Sequence, residues 1–469
     1  MTKRRILLKI EIFVLIFAVI LSSVTFVMRN KNKGYSHTSF YEKSNNFDVL
    51  FFGTSHIHSS FNPLQLYNKY GIVSCCKSGS AQSFKLTSEI IKEALLLSSP
   101  KLIVVDLYAM AKMFGNQRLP KDERLGLHTA IDDIPFSFSK IKLINNYLKY
   151  RNDDFSFFIE CYSPLFLYHS SWNKLSKKDF YHLDYNKGFS PRYTQFYLNK
   201  TDVLPHTIKT QFTYEYENLL KDIIDCCKKQ NIKLLLTVVP YSDKNTVKEQ
   251  KYYNEIPLLL EKEDVNFINY FHHLDELNLN FSTDFRDDDH LNFYGAQKIT
   301  NHIGKYIKEH YDIPDRRLDP AYTKWNDDYK LYVQDTFAQE LNATKNSEKY
   351  LELLTNKKEA TNNTCIFVVK TSEKNINSKH FNYLGINVNA NNCITIIDEG
   401  KVVYNRVASD ILLQHEYKIG RLPVKLVSDV KGKNSSIKID GIEQINNKSG
   451  ITVVIYDKLL KKVSSVRSL

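Results

Sequence analysis

Ser55 follows Gly53 and Thr54 at the end of the apolar run Phe47 to Phe52. Asp287 and His290 stand three residues apart in Asp287-Asp288-Asp289-His290-Leu291-Asn292, just before a helical segment. These residue types suit nucleophilic acyl chemistry. A serine on a tight turn after a strand is exposed at the carboxyl edge of a sheet, where it can attack. A histidine three residues after an aspartate can share a one-turn loop with it. The carboxylate then orients one ring nitrogen while the other faces the serine as general base. Plainer roles exist for both motifs: a serine capping a turn, and a solvated acidic turn. A calcium loop is disfavoured, because hand-type loops need alternating oxygen ligands with a glycine.

Bringing residues 55 and 290 together requires a particular order of elements, and the hydropathy pattern supplies one. Phe47 to Phe52, Gly71 to Cys76 and Lys101 to Leu107 read as strands. Between the last two, Ser83 to Leu97 reads as a helix with Ile90, Ile91, Ala94 and Leu95 toward the sheet. The rhythm resumes with a helix at Tyr214 to Lys229, a strand at Ile232 to Val239 ended by Pro240, and a helix around Val247 to Glu261. A strand near Val265 to Tyr270 follows, then a helix at Tyr294 to His310 with Ala296, Ile299, Ile303 and Ile307 on one face. This alternation predicts an α/β domain with a doubly wound parallel sheet covered on both faces. Residues 109 to 205 interrupt it, rich in Tyr, Phe, Lys and Asp and punctuated by Pro120, Pro135, Pro164, Pro191 and Pro205. They are expected to form an insertion over the strand ends, either a lid and acceptor-binding wall or a helical appendage with no ligand role. The aromatic stretch Tyr147 to Tyr197 has a composition suited to stacking on sugar rings.

The order Ser, Asp, His, with the last two on one turn before the last helix, resembles the SGNH (GDSL-like) hydrolase and acyltransferase superfamily over residues 46 to 310. That resemblance implies a flavodoxin-like sheet with Ser55 as nucleophile, His290 as base and then acid, and Asp287 holding the imidazole tautomer. It also implies an oxyanion hole from the amides of Ser55 and of Gly79, in Lys77-Ser78-Gly79-Ser80. Thr54 stands where the family has aspartate. The family's third donor, an asparagine, has no counterpart after the third strand, which ends Asp106-Leu107-Tyr108. An aspartate there could serve an oxyanion only when protonated. The departures resemble the divergent membrane-linked branch, which includes the alginate and peptidoglycan O-acetyltransferases and the protein completing D-alanyl transfer to lipoteichoic acid. His56 and His58 flank the nucleophile and are expected to contact substrate or to pack. No carboxylate or cysteine joins them at metal-ligand spacing. Neither a metal nor a diffusible cofactor is implied.

Lys3, Arg4 and Arg5 precede an apolar segment reaching Met28, uncharged from Ile12 onward and followed by Arg29, Lys31 and Lys33. Its length is at the short end for a membrane span. No small-residue cleavage site interrupts it, so residues 1–34 are expected to be a cytoplasmic tail and uncleaved transmembrane signal anchor. The short basic tail then stays in the cytoplasm, making a single-pass protein of the cell membrane with its catalytic part outside. The net charge of +12 has no arginine-rich run behind it, so no nucleic-acid partner is expected. Headgroups or an anionic wall polymer suit this charge, as does a generally lysine-rich solvated surface. The seven cysteines include the doublets Cys75-Cys76 and Cys226-Cys227. They show neither zinc spacing nor a complete disulfide framework, which favours buried reduced thiols. With the abundance of Asn, Lys and Ile, this composition suits a low-GC Gram-positive bacterium.

The chain of 469 residues, 43% hydrophobic, has material for more than one core. A catalytic domain is expected over 35–312, a linker with a helical segment over 313–360, including a helix at Trp325 to Leu354, and a β-rich domain over 361–469. Strands in the last are expected at Cys365 to Lys370, Cys393 to Asp398, Lys401 to Tyr404, Val424 to Val430, Ser436 to Ile439 and Ile451 to Tyr456. The turns Asp398-Glu399-Gly400 and Asp440-Gly441 are expected to join four of them into two hairpins. Ser449 to Asp457 with Lys462-Val463-Ser464 resembles the interleukin-like (PANDER-type) domain, which implies sugar binding beside surface-glycan enzymes. The expectation for the whole is a membrane-anchored, outward-facing acyl enzyme acting on a cell-surface glycan or wall polymer. A membrane-bound O-acyltransferase would supply its acyl groups. The alternative is a non-catalytic glycan-binding protein with a vestigial triad.

Overall fold

The computed structural model describes residues 3–32, 38–42, 46–112, 127–149, 155–175, 177–180, 185–199, 205–242, 246–356, 363–371, 392–409, 411–431, 434–445 and 450–469. Pro120 with several stretches of the 109–205 insertion, the junction near residue 34 and the start of the β-rich region at 361 lie outside the described residues. Two compact units are present, Met1–Asn326 and Asp327–Leu469.

The first unit is built on five parallel strands, β1 (Val49–Gly53), β2 (Ser74–Ser78), β3 (Leu102–Asp106), β4 (Lys233–Val238) and β5 (Asn266–Asn269), in the order β2-β1-β3-β4-β5. That order makes β1 and β3 the strands between which the chain changes direction across the sheet, and ligand crevices form at such points. β1, β2 and β3 are buried along their whole length. Coverage on both faces is what makes such strands read as unbroken apolar runs. β2 still carries a charge: Lys77 Nζ lies 4.1 and 4.2 Å from the ring centroids of Phe40 and Tyr41 and 3.7 Å from Glu93. Burial lowers the pKa of this ammonium, and Glu93 opposes that shift.

Element ends depart from the sequence pattern where local chemistry overrides it. Gly71 takes the left-handed conformation (φ 70°) that caps the helix Pro63–Tyr70, so β2 starts at Ser74 rather than Gly71. The helix expected at Val247 to Glu261 is two pieces, Thr246–Tyr253 and Ile256–Leu259. Pro257 has no N–H to continue the first and sits in the opening turn of the second. Helices Tyr214–Lys229 and Phe293–His310 stand where periodicity puts them.

The N-terminal helix Lys3–Asn32 is long and apolar enough over Arg4–Arg29 to cross a membrane. Its large apolar side chains from Ile6 to Val24 are exposed, whereas Met28 is buried in the first unit. The described part of the insertion contains helices Phe138–Leu148, Phe155–Tyr162 and Leu165–Tyr168 and the short 3₁₀ helices His169–Lys174 and Lys177–Phe180. The last three pack on the N-terminal helix. Residues 313–326 remain with the first unit: Arg316 holds Asp48 through bonds of 2.9 and 3.0 Å, and Trp325 packs on Phe47 and Tyr67.

The second unit begins within the helix Thr323–Ala343, followed by a helix at Ser347–Asn356. Its strands are β6 (Thr364–Thr371), β7 (Asn392–Asp398), β8 (Lys401–Ala408), β9 (Leu413–Ile419), β10 (Leu422–Asp429), β11 (Asn434–Ile439), β12 (Ile442–Glu443), β13 (Gly450–Asp457) and β14 (Lys462–Ser468). They form two antiparallel sheets, β14-β13-β6-β7-β8 and β12-β11-β10-β9. One core, with Phe367, Ile396, Leu426 and Ile437, lies between the sheets; another, with Leu341, Tyr350, Val368 and Val453, lies between the larger sheet and the two helices. Glu399 and Gly400 both have positive φ and join β7 to β8, the mirror-image turn that matches strand twist. Asp440-Gly441 makes the same turn, but its hairpin pairs Ser436 to Ile439 with the two-residue β12. The segment Ile451 to Tyr456 instead pairs with β6 and β14. β9 carries no clear strand signal in sequence, because its Gln, His, Glu and Lys break the apolar pattern.

Candidate active site

The turn after β1 is shaped by what fits beneath it. Gly53 has φ 155°, and a Cβ there would lie 2.9 Å from Ile57 Cγ1 and 3.0 Å from Asp106 Cβ. Any other residue would have to push apart the strand end and the helix that follows. Thr54 is extended and caps that helix, its Oγ1 accepting from the His56 amide at 3.3 Å. Ser55 is the first residue of the helix, Ser55–Ser60. Because Gly53 pairs with Ser78 and Phe52 with Val105, the turn stands between the end of β2, which leads to Gly79, and the end of β3 at Asp106.

The acidic loop is closed as a small hairpin. The Arg286 amide donates to the His290 carbonyl at 3.0 Å, and Phe285 pairs with Leu291. Asn292 fixes its exit: Oδ1 accepts from the amides of Tyr294 and Gly295, capping the last helix. Nδ2 donates to the carbonyls of Thr283, Thr194 and Phe285. Asp284 is buried and spent on structure, accepting from the Asn280 amide and from Lys298 Nζ, each at 2.7 Å.

These two frames bring together residues 235 apart in sequence: Ser55 Oγ lies 2.7 Å from His290 Nε2. On the far side of the ring, His290 Nδ1 lies 2.8 Å from Asp287 Oδ1. With the ring proton on Nδ1 and given to the carboxylate, Nε2 accepts from the serine hydroxyl. Asp287 is also held by Arg286 Nε at 3.1 Å and by the Asp289 amide at 3.0 Å. Burial raises the Asp287 pKa, but the hydrogen bond and charge of His290, then Arg286 and the Asp289 amide, outweigh it and leave the carboxyl below its ordinary value. Arg286 was not singled out by sequence reasoning, although it directly precedes Asp287.

The other sequence candidates are distributed around this relay. His56 is buried, stacked on Tyr108 at 3.8 Å between ring centroids, edge-on to Tyr241, and 5.2 Å from the His290 ring. Tyr108, placed by the sequence only at the end of the third strand, and Tyr241 are thus the wall behind it. His58 is buried on the other side, its Nδ1 3.0 Å from Ser78 Oγ and its carbonyl accepting from the Ser190 amide at 2.8 Å. Gly79 follows β2, and a Cβ on it would stand 2.6 Å from Ala130 Cβ, so the insertion packs on this glycine. Ser190 and the carbonyls of Arg192 and Thr194 reach His58 and the entry of the last helix. The two flanks of the insertion therefore border the site, while the elements from Leu165 to Phe180 pack on the N-terminal helix. Asp288 offers its carbonyl to the Ser242 amide at 2.6 Å, and the Asp289 carboxylate accepts from Tyr108 Oη at 3.2 Å.

Asp106 packs beneath Gly53, fully buried, accepting from the Tyr108 amide at 3.3 Å. Burial raises its pKa to about 7, with the Tyr108 and Val239 amides opposing. A carboxyl that binds its proton more tightly folded than unfolded loses stability as pH rises from the unfolded value, about 4, through the folded one. Asp106→Asn is therefore expected to raise the thermal midpoint at pH 8 and to raise it much less at pH 5. Scanning calorimetry of both proteins at the two pH values checks this, and an equal shift at both would contradict it.

Comparison of the chain with protein-family models and with curated proteins returned no match.

Proposed function

We propose that this chain is a membrane-anchored serine acyl enzyme of the SGNH type, an O-acyltransferase or esterase acting on a cell-surface polysaccharide or wall polymer. The observation that carries this reading is the relay from Ser55 through His290 to Asp287, with bonds of 2.7 and 2.8 Å. It stands at the carboxyl edge of a sheet of order β2-β1-β3-β4-β5. Ser55 Oγ attacks an acyl carbonyl while its proton passes to His290 Nε2, and Asp287 stabilises the resulting imidazolium. The tetrahedral oxyanion is received by the amides of Ser55 and Gly79. Collapse expels the alcohol, which takes the proton from His290 and leaves an acyl-Ser55. A sugar hydroxyl or water, deprotonated by His290, then releases the acyl group. Asp106 accepts a bond from an amide and lies under the turn, so a third oxyanion donor would come from elsewhere.

The apolar helix supports anchoring in the cell membrane, and the Lys3-Arg4-Arg5 cluster ahead of it supports an outward-facing catalytic unit. Acyl groups then have to be delivered across the bilayer, for which a membrane-bound O-acyltransferase is the fitting partner. The second unit would hold the polymer. A serine-directed fluorophosphonate is expected to label the full chain and not Ser55→Ala, whose thermal midpoint should match the parent's. Labelling that persists in the variant would reject Ser55 as nucleophile. Neither labelling nor ester turnover in the parent would favour a glycan-binding protein with an idle triad.

A further inference from the structure

The apolar helix has no spare length. Its uncharged stretch from Ile12 to Met28, at about 1.5 Å per residue, is about 26 Å long, already a few ångströms short of the ~30 Å hydrocarbon core of a bilayer. Even so, the last turn of that stretch packs against the protein on one side: Met28 is buried, Thr25 and Val27 are half-buried, and so is Arg29 just beyond it. Arg29 is fixed there, donating to the Asp132 carbonyl at 2.9 Å and lying 3.7 Å from the buried Asp133 carboxylate. Asp132 in turn bonds His128 and Tyr168, and Tyr168 belongs to one of the insertion helices packed on the N-terminal helix. If the helix spans the bilayer, the surface around its foot stands at headgroup depth.

That surface is aromatic. Phe136 and Phe138, just beyond Asp132-Asp133, are 77% and 92% exposed. On the elements that pack on the helix, Phe166, Trp172 and Phe180 are 63%, 67% and 55% exposed. A water-facing surface gains nothing from several large exposed rings. Trp and Phe at the boundary of headgroups and acyl chains bury apolar area while any polar edge stays hydrated. We propose that these residues form a collar that lies in the outer headgroup layer around the foot of the anchor, so that the insertion fixes the catalytic unit against the lipid surface. The occupant of this face is bilayer lipid, not sugar rings. The inference rests on the anchor reading given above.

Trp172 reports on the collar directly. The chain has two tryptophans, and the other, Trp325, is 1% exposed in the core of the first unit. The full chain is reconstituted in phosphatidylcholine/phosphatidylglycerol vesicles, plain or with acyl chains brominated near the carbonyl end or near the methyl end, and checked by flotation. Shallow bromines are expected to quench part of the emission and deep bromines less, and the quenchable part is expected to vanish in Trp172→Phe. A chain that does not float with the vesicles overturns anchor and collar together. A chain that floats with Trp172 unquenched overturns the collar alone. Emission unchanged by brominated lipid but shifted by wall-polymer oligosaccharide would assign the face to glycan and likewise overturn the collar.

Discussion

Replacing His290 with alanine is expected to lower kcat for a small acyl ester by roughly 10⁴-fold or more, with KM little changed. A serine hydroxyl is a weak nucleophile near neutral pH unless a base takes its proton during attack. Nε2 of His290, 2.7 Å from Ser55 Oγ, is the group placed to do so. The loop should survive the change, because its closing bond uses the His290 carbonyl, and Asn292 holds the exit. Steady-state release of p-nitrophenol from p-nitrophenyl acetate, with thermal midpoints for both proteins, measures this. A loss smaller than tenfold would mean that His290 is not the base.

The second large effect is expected at Asp287. Its amide variant presents an N–H toward Nδ1 of the ring, favouring the tautomer that cannot accept from Ser55. The Asp287 side chain keeps 44% exposure, so water can partly replace it, and the expected fall in kcat is roughly 10²- to 10⁴-fold. Asp288→Asn should leave kcat within a few-fold of the parent, since it is the carbonyl of Asp288 that makes the contact with Ser242. Asp289→Asn should also be mild, because its amide still bonds Asp287 and an amide oxygen can still accept from Tyr108. Kinetics on the three variants decide it, and parity between Asp287 and either neighbour would contradict the relay. The depressed pKa of Asp287 sets a sign as well. Its ionised form stabilises the fold above the unfolded carboxyl value, and that contribution is lost as pH falls through the folded one.

Much of the first unit was legible because its sheet is buried on both faces, so β1, β3 and β4 each read as an apolar run whatever their neighbours. The relay was legible for a different reason: Asp287 and His290 are local to one turn, and a serine after a buried strand has few places to be. What sequence could not carry was anything set by distant packing. Asp106 occupies the position where a third oxyanion donor was sought, yet only the three-dimensional turn shows it packed under Gly53 with its pKa raised. His56 and His58 look equivalent in sequence, but two positions along a helix are about 200° around it, which sends one to Tyr108 and the other to Ser78. The aromatic residues of the insertion had the composition of a sugar platform. The packing of the elements that carry Phe166, Trp172 and Phe180 on the N-terminal helix rests on contacts more than a hundred residues apart in sequence, as does the bond from Arg29 to Asp132. In the second unit, local turn chemistry marked both mirror-image turns, but the strand paired across Asp440-Gly441 is the two-residue β12 and not Ile451 to Tyr456, whose pairing with β6 is long-range and left no local trace.

The central claim is that Ser55 carries an acyl group during turnover. Acid quenching within the first turnover on p-nitrophenyl acetate, followed by peptide mass spectrometry, tests it most directly. The account predicts one acetyl group on the peptide containing Ser55 in the parent, and none there in Ser55→Ala. Turnover with no acyl adduct on that peptide, or an adduct that remains elsewhere in Ser55→Ala with activity intact, would contradict it.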